Sequence, residues 1–115
     1  MPIIIIRSPI ARSELAKFAL SDVPTVAKAV IDVRQGIMAL GGELHADEEV
    51  ILSEQAGSLR EDTWGVNLYI EKMGEDFIEF DSMVNLKPVF NNRSRNVESE
   101  AVRKKIKEII GQLVL

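Results

Sequence analysis

The clearest hydrophobic pattern in the chain is a pair of alternating segments, TWGVNLYI and IEFDSMVNL, on either side of a turn near Gly74. In both segments apolar side chains tend to fall at every second position, which is typical of strands with one buried face. The sequence therefore predicts a β-hairpin in which Ile70 pairs with Ile78 on the apolar side. On the polar side this register makes two further pairs, Tyr69 with Glu79 and Asn67 with Asp81.

A second alternating segment, VAKAVIDV, precedes the turn Arg34-Gln35-Gly36. The chain then returns through Met38 and Leu40, which predicts another hairpin. A loop of two or four residues pairs Ile31 with Met38 or Leu40, and either choice keeps the apolar faces together.

The segment PIIIIR at residues 2–7 has four consecutive isoleucines and no alternation. A short β-branched run of this kind is typical of a strand that is covered on both faces. We therefore expect a central strand here.

Three segments have features of helices. SPIARSELAKFALS, with Leu15 and Phe18 at helical spacing, predicts a short amphipathic helix. A second helix is expected from Asp47 as N-cap to Gly57 as C-cap, although its contiguous apolar residues fit a short strand nearly as well. The last, at about 97–113, has an apolar stripe that faces the core, made of Val102, Ile106, Ile109, Ile110 and Leu113.

Together these segments give the order β-α-β-β-α-β-β-α. The sequence predicts one α+β domain over residues 1–115, with a mostly antiparallel sheet of about five strands and helices mainly on one face. A chain of 115 residues can bury a core of its own without disulfides.

Charge and composition narrow the classes of function. The formal net charge is −4, and a field of that sign repels phosphate backbones and anionic lipids, so we expect neither nucleic-acid nor membrane binding. The absence of cysteine excludes thiolate catalysis and cysteine-based zinc sites. The N-terminal segment lacks the features of a signal peptide, and cytoplasmic residence is therefore expected.

Glu43, His45 and Asp47 form the first candidate site, because they alternate around the single histidine of the chain. If this segment is extended, they share one face, and acid–base or metal chemistry becomes conceivable there. Asp32 is the carboxylate expected to complete a metal site, whereas Lys28 would repel a cation and could pair with Glu43 or Asp32. If a helix begins here instead, the three residues are caps and solvent-exposed charges.

The second candidate site is the polar face of the late hairpin together with the link NNRSR. Repulsion between Glu79 and Asp81 could separate their pKa values and create an acid beside a base. Arg93 and Arg95, next to a helix start, could bind a phosphate or carboxylate. Equally, the arginines could pair internally with the two carboxylates, or the link could be a solvated loop. The proposed ligand-binding residues are Asn67, Glu79, Asp81, Asn92, Arg93 and Arg95.

Four segments carry a resemblance to a known family: GGELHADEE, EDTWGVNLY, IEFDSMVNLKP and NNRSR. Together they resemble a family of small bacterial proteins catalogued only as a domain of unknown function. The chain departs from that family at Ile70, where the resemblance implies a proline after Tyr69. The family has no assigned activity or cofactor, so the resemblance transfers no functional residue.

Two hypotheses of function follow. The preferred one is a non-enzymatic binding or protein-interaction module that self-associates, in which a sheet edge or the polar sheet face contacts a partner or a small anionic ligand. The alternative is a small hydrolase-like enzyme, metal-dependent or not, that uses His45 with nearby carboxylates and Arg93 as an anion anchor. The sequence identifies no cofactor and no metal-ligand set.

Overall fold

The computed structural model describes residues 2–115 and contains a five-stranded antiparallel sheet. The strands are β1 (Ile4–Ile6), β2 (Val26–Asp32), β3 (Ile37–Leu40), β4 (Thr63–Tyr69) and β5 (Ile78–Glu79). Their order across the sheet is β1-β3-β2-β4-β5. A 3-10 helix spans Arg12–Phe18, and two α-helices follow, α1 (His45–Ala56) and α2 (Glu100–Leu113). The predicted α+β class, strand number and element order are confirmed.

The main core lies on one face of the sheet, under the 3-10 helix and α2. Ile106, Ile109 and Ile110 of α2 are buried there against apolar residues of β2, β3 and β4. The opposite face is covered by α1, whose Leu52 packs against Val30. Two of the three helices therefore share one face, and α1 forms a third layer on the other.

The first helix is a 3-10 helix whose two buried side chains, Leu15 and Phe18, are three residues apart. That spacing places both on the core side of a helix with three residues per turn. α2 begins where Ser99 accepts a hydrogen bond from the N–H of Val102 at 3.2 Å, three residues after the predicted start.

The first hairpin has the predicted pairing, with Ile31 opposite Met38. Asp32 shapes its four-residue turn, since Oδ1 accepts hydrogen bonds from the N–H groups of Arg34 and Gln35 at 2.9 and 3.0 Å. Oδ2 accepts a third from the hydroxyl of Ser58 at 2.6 Å. Burial opposes the charged form of Asp32, but these hydrogen bonds outweigh it and lower its pKa.

The prediction of a central strand at residues 2–7 is wrong. β1 pairs only with β3 and lies at one edge of the sheet. The expectation that both faces of this strand are covered is partly met. Ile6 enters the main core, and Ile3 and Ile5 pack on the opposite face. Hydrophobicity alone does not reveal how many neighbouring strands a strand has.

The late hairpin has a register two residues away from the predicted one. Leu68 pairs with Ile78, and Asn67 pairs with Glu79. The difference arises in the loop, where a 3-10 turn over Gly74–Asp76 brings the Phe77 carbonyl to the N–H of Tyr69 at 2.9 Å. A shift of two residues keeps every side chain on its predicted face.

β5 ends after two residues because a side chain replaces it as the partner of β4. The amide of Asn85 accepts a hydrogen bond from the Gly65 N–H at 2.8 Å and donates one to the Gly65 carbonyl at 3.0 Å. Gly65 permits this close approach, since a Cβ at this position would lie 2.6 Å from Ser82 Oγ and 2.9 Å from Val84 Cγ2. The segment after residue 81 therefore leaves the sheet and packs over the face on which α1 lies.

Lys87 anchors this segment through a buried ammonium group. Its Nζ donates hydrogen bonds to the carbonyls of Arg60 and Thr63 at 2.5 and 2.6 Å and lies 3.7 Å from the centre of the Trp64 ring. Burial lowers the pKa of Lys87 to about 8. The ammonium group therefore lies at the start of β4, where backbone carbonyls and the Trp64 ring take the place of its water of hydration.

Candidate functional site

The segment expected to be extended at His45 is the first turn of α1. Glu43 turns away from the histidine and accepts hydrogen bonds from the Ser21 N–H and hydroxyl, the shorter two at 3.2 Å. Asp47 is solvent-exposed in the helix. The alternative in which a helix begins here is therefore the one adopted, although Leu44, not Asp47, is the N-cap residue. The structure does not bring the three side chains together.

His45 is buried beneath the start of α1, with 7% of its surface exposed. Its Nε2 lies 2.8 Å from the carbonyl oxygen of Val66, so Nε2–H is the donor. Burial is the main cause that lowers the pKa of His45 to about 4; the hydrogen bond to Val66 raises it and the charge of Lys28 lowers it further. The imidazole is accordingly neutral at neutral pH.

Lys28 and Asp32 do not have the roles that were considered for them from the sequence, an ion-pair partner for Lys28 and a metal ligand for Asp32. Lys28 pairs with neither Glu43 nor Asp32; its Nζ donates to Asn67 Oδ1 at 3.4 Å on the neighbouring strand. Asp32 is fully used at the first hairpin turn, far along β2 from Lys28. Among residues 2–115, no group of three histidine or acidic side chains is arranged to hold a metal ion.

The polar face of the late hairpin forms an internal network. Glu79 Oε1 accepts hydrogen bonds from Asn67 Nδ2 and the Tyr69 hydroxyl, both at 2.9 Å. The bond to Glu79 is the main cause that raises the pKa of Tyr69. Arg95 Nε bonds Asp81 Oδ1 at 2.7 Å. The two carboxylates therefore have different partners, and for Arg95 the internal ion-pair alternative is the one observed.

The link before α2 uses its donors within the chain. Asn92 is buried, and its Nδ2 donates to the carbonyls of Asn85 and Asn96, each at 2.7 Å. The Arg93 N–H and the Ser94 hydroxyl both donate to the Glu98 carboxylate. Asn92 thus holds the loop in shape, and Arg95 pairs with Asp81, while anion binding by Arg93 and Arg95 stays a prediction.

A cleft of about 190 Å³ joins parts of the two predicted sites. His45 of the first set and Asp81 and Arg95 of the second line it together with Lys28. They meet because β2 pairs with β4, with Lys28 opposite Asn67, and because α1 and the segment after β5 cover the same face. The sequence placed Lys28 and Asn67 on polar strand faces but did not show that the two strands are neighbours.

The cleft carries more positive than negative charge in an otherwise acidic protein. Lys28 and Arg95 are cationic, Asp81 is anionic, and His45 is neutral at neutral pH. The first N–H groups of an α-helix have no acceptor within the helix, and Leu44 at the N-cap offers no side-chain acceptor to α1. The cleft therefore combines two cations with the start of a helix that has no side-chain cap, where the Asp47 N–H is bonded to the Leu44 carbonyl at 3.2 Å.

Glu48 is a buried acid that sequence reasoning missed. It is fully enclosed, its Oε2 accepts a hydrogen bond from the Gly42 N–H at 3.0 Å, and Oε1 has no partner among residues 2–115. Burial raises the pKa of Glu48 to about 9, so the carboxyl group is protonated at neutral pH. The adjacent Gly42 is the only local signal, because a Cβ there would lie 2.8 Å from Glu48 Cγ.

The sheet, the helix layers on both faces and the cationic cleft define a small α+β protein with a shallow polar site. None of the helices within residues 2–115 combines the length and apolar character needed to cross a membrane. Over residues 4–113 the sequence matches the family described as "protein of unknown function (DUF5674)", and the chain belongs to that family. No curated protein and no solved structure matches it.

Proposed function

We propose that this protein is a non-enzymatic binding module of the bacterial cytoplasm, and that its cleft binds a small organic anion. The observation that supports this most directly is that Lys28 and Arg95 line the same cleft as the uncapped start of α1. A carboxylate or phosphate there would accept hydrogen bonds from both side chains and from the helix N–H groups.

The charge of the cleft also favours an anion as its ligand. The chain as a whole has a net charge of −4, whereas the cleft has two cations and one carboxylate. A local positive site in an acidic surface attracts small anions while the whole protein repels polyanions. The composition accordingly predicts that the protein does not bind nucleic acid, whereas a small anion can still bind at this local site.

The internal ion pair does not close the site. Arg95 and Asp81 keep 57% and 44% of their side-chain surfaces exposed, and a pair of this kind contributes only ~0–1 kcal/mol. A bound anion can therefore share or replace Asp81 as the partner of Arg95 at small cost.

The rim of the cleft is apolar. Leu44 and Met83 line it and remain 59% and 62% exposed. Both side chains would gain from contact with hydrocarbon. The favoured ligand is therefore an anion with an apolar part, such as an aromatic or aliphatic carboxylate, and not a bare inorganic ion.

The enzymatic alternative has less support. His45 donates through Nε2 to a backbone carbonyl, and with a pKa lowered to about 4 it is a weak base. Glu43 and Asp47, its proposed partners, lie elsewhere. Hydrolytic activity that is lost in a His45→Ala variant of unchanged fold would favour the alternative.

An amide NMR titration with benzoate, acetate and phosphate tests the proposal. We expect saturable shifts at Lys28, His45, Ala46 and Arg95, with benzoate the tightest of the three. Lys28→Met should weaken benzoate binding by about 10- to 150-fold, because a charge-assisted hydrogen bond contributes ~1.5–3 kcal/mol.

Lys105→Met is the matched control, since Lys105 is exposed on α2 and outside the cleft. It makes the same change in net charge and should leave binding unchanged. Equal weakening in both variants would mean a general charge effect, and shifts confined to other surfaces would refute the cleft as the site.

A further inference from the structure

The outer edge of β1 is an unpaired strand edge. Within residues 2–115, no backbone hydrogen bond joins it to any segment other than β3. Every second residue of an edge strand points its N–H and C=O outward, where they can template another strand. β5, at the opposite edge, is only two residues long and includes Glu79, so its edge is short and charged.

The side chains of β1 do not have the features that protect edges. Residues 3–6 are all isoleucine, and the first charge is at Arg7. Ile4 lies opposite Leu40 on the main-core side but is 41% exposed, while Ile3 and Ile5 are only partly buried on the other side. The sequence of β1 is thus that of a central strand, whereas in one chain it has a neighbour on one side only.

A second copy of β1 suits this edge better than an unrelated strand. Around a two-fold axis an antiparallel pair must be self-complementary, since each residue meets a residue of the same segment. A run of four isoleucines meets this condition on both faces, because isoleucine lies opposite isoleucine.

The charge at one end of β1 is compatible with an antiparallel pair. Arg7 follows β1 at its C-terminal end. Like charges directly opposite each other destabilise a strand pair, and antiparallel pairing places the two Arg7 side chains at opposite ends of the shared edge.

We propose that a second copy of this chain pairs antiparallel with the outer edge of β1, so that two five-stranded sheets form one ten-stranded sheet around a two-fold axis. In that dimer β1 becomes a central strand, and the exposed face of Ile4 is covered by its counterpart. The proposal is independent of the anion-binding cleft.

Mass measurement by sedimentation equilibrium is the first test. We expect the wild type at twice the chain mass of 12.8 kDa. Ile4→Lys places a charge at the interface and should yield the monomer. Leu86→Lys is the control, because Leu86 is 39% exposed, nearly the same as Ile4, and lies outside the sheet; this variant should remain a dimer.

Cysteine cross-linking is the second test. Because the chain has no native cysteine, any disulfide must involve the introduced residue. In a two-fold antiparallel pair one residue faces its own copy. One of the variants Ile3→Cys, Ile4→Cys and Ile5→Cys should therefore form a disulfide-linked dimer on mild oxidation, whereas Leu86→Cys should not.

Three results would each overturn the proposal. One is a monomeric wild type at about 100 µM, where a dimer with a micromolar Kd is almost fully formed. Another is an Ile4→Lys variant that stays dimeric. The third is the absence of cross-linking at all three positions beyond that of Leu86→Cys, a readout that stands even if Ile4→Lys fails to fold.

Discussion

At the scale of single residues, three buried ionisable side chains show how their partners decide whether a charge persists in the interior. Asp32 stays ionised because several donors surround it. Lys87 keeps its ammonium through two carbonyls and an aromatic ring. Glu48 has one donor and an unpartnered oxygen, and it is protonated instead. Number and sign of the available partners decide between these outcomes.

Glu48 makes the stability of the fold depend on pH. Its folded pKa of about 9 lies above the ordinary value of 4.5, so between these values the folded state binds more protons than the unfolded state. This contribution to stability is full below about pH 4.5 and is lost as the pH rises towards about 9, at up to roughly 1.4 kcal/mol per pH unit. We expect Glu48→Gln to remove this decline in urea unfolding measured between about pH 6 and pH 8.

Glu54→Gln on the same helix is the control, since Glu54 is exposed. It should retain the pH dependence of the wild type. If Glu48→Gln declines with pH as steeply as the wild type, Glu48 is ionised in the folded state, contrary to our interpretation.

At the scale of elements, alternation identified which faces of the strands are buried but not where each strand ends. The apolar and polar positions of β4 and of the segment after Ile78 fall on the predicted faces. β5 is nevertheless short because the Asn85 amide takes the place of two backbone groups. A side chain that imitates a backbone leaves no periodic signal, so the sequence predicted a longer strand and a different register.

Gly65 is expected to be essential to this arrangement. Gly65→Ala would place a methyl group within 3 Å of Ser82 and Val84, and we expect a loss of stability of about 1–3 kcal/mol from overpacking. Gly111→Ala in α2 is the control, because nothing lies within 4 Å of the added carbon; it should gain about 0.5–1 kcal/mol. Thermal unfolding of both variants checks the two signs, and a neutral Gly65→Ala would contradict the packing argument.

The candidate site was predicted in pieces. His45, Asp81 and Arg95 were each singled out, but in two separate sites, because the sequence does not state that β2 and β4 are neighbours. Lys28 entered as a residue that would oppose a metal or pair with Glu43 or Asp32, although it lines the cleft. Asn92 looked like a ligand donor, and its role in holding the loop depends on carbonyls brought near by the fold.

At the scale of the whole molecule, the two proposed surfaces are separate. The cleft involves β2, α1 and the segment around residues 81–95, while the free edge belongs to β1, with β3 between β1 and β2. A change at one surface should therefore leave the other intact.

Exchange of the assays tests this independence. We expect Ile4→Lys to bind benzoate as the wild type does, and Lys28→Met to keep the mass of the wild type. The measurements are the same NMR titration and sedimentation experiments. Loss of anion binding in a folded Ile4→Lys monomer would mean that the cleft is completed by a second copy. Anion binding would then depend on dimerisation.

The unequal edges of the sheet also limit how far assembly can proceed. A sheet with two long, bare edges can add copies without end and polymerise into a filament. Here the edge strand β1 has three residues, all isoleucine, whereas the edge strand β5 has two residues and ends in Glu79. Association through β1 leaves only the short edge of β5 exposed at each end of the joined sheet. The assembly therefore closes at two chains, and the four-isoleucine run does not lead to fibrous aggregation.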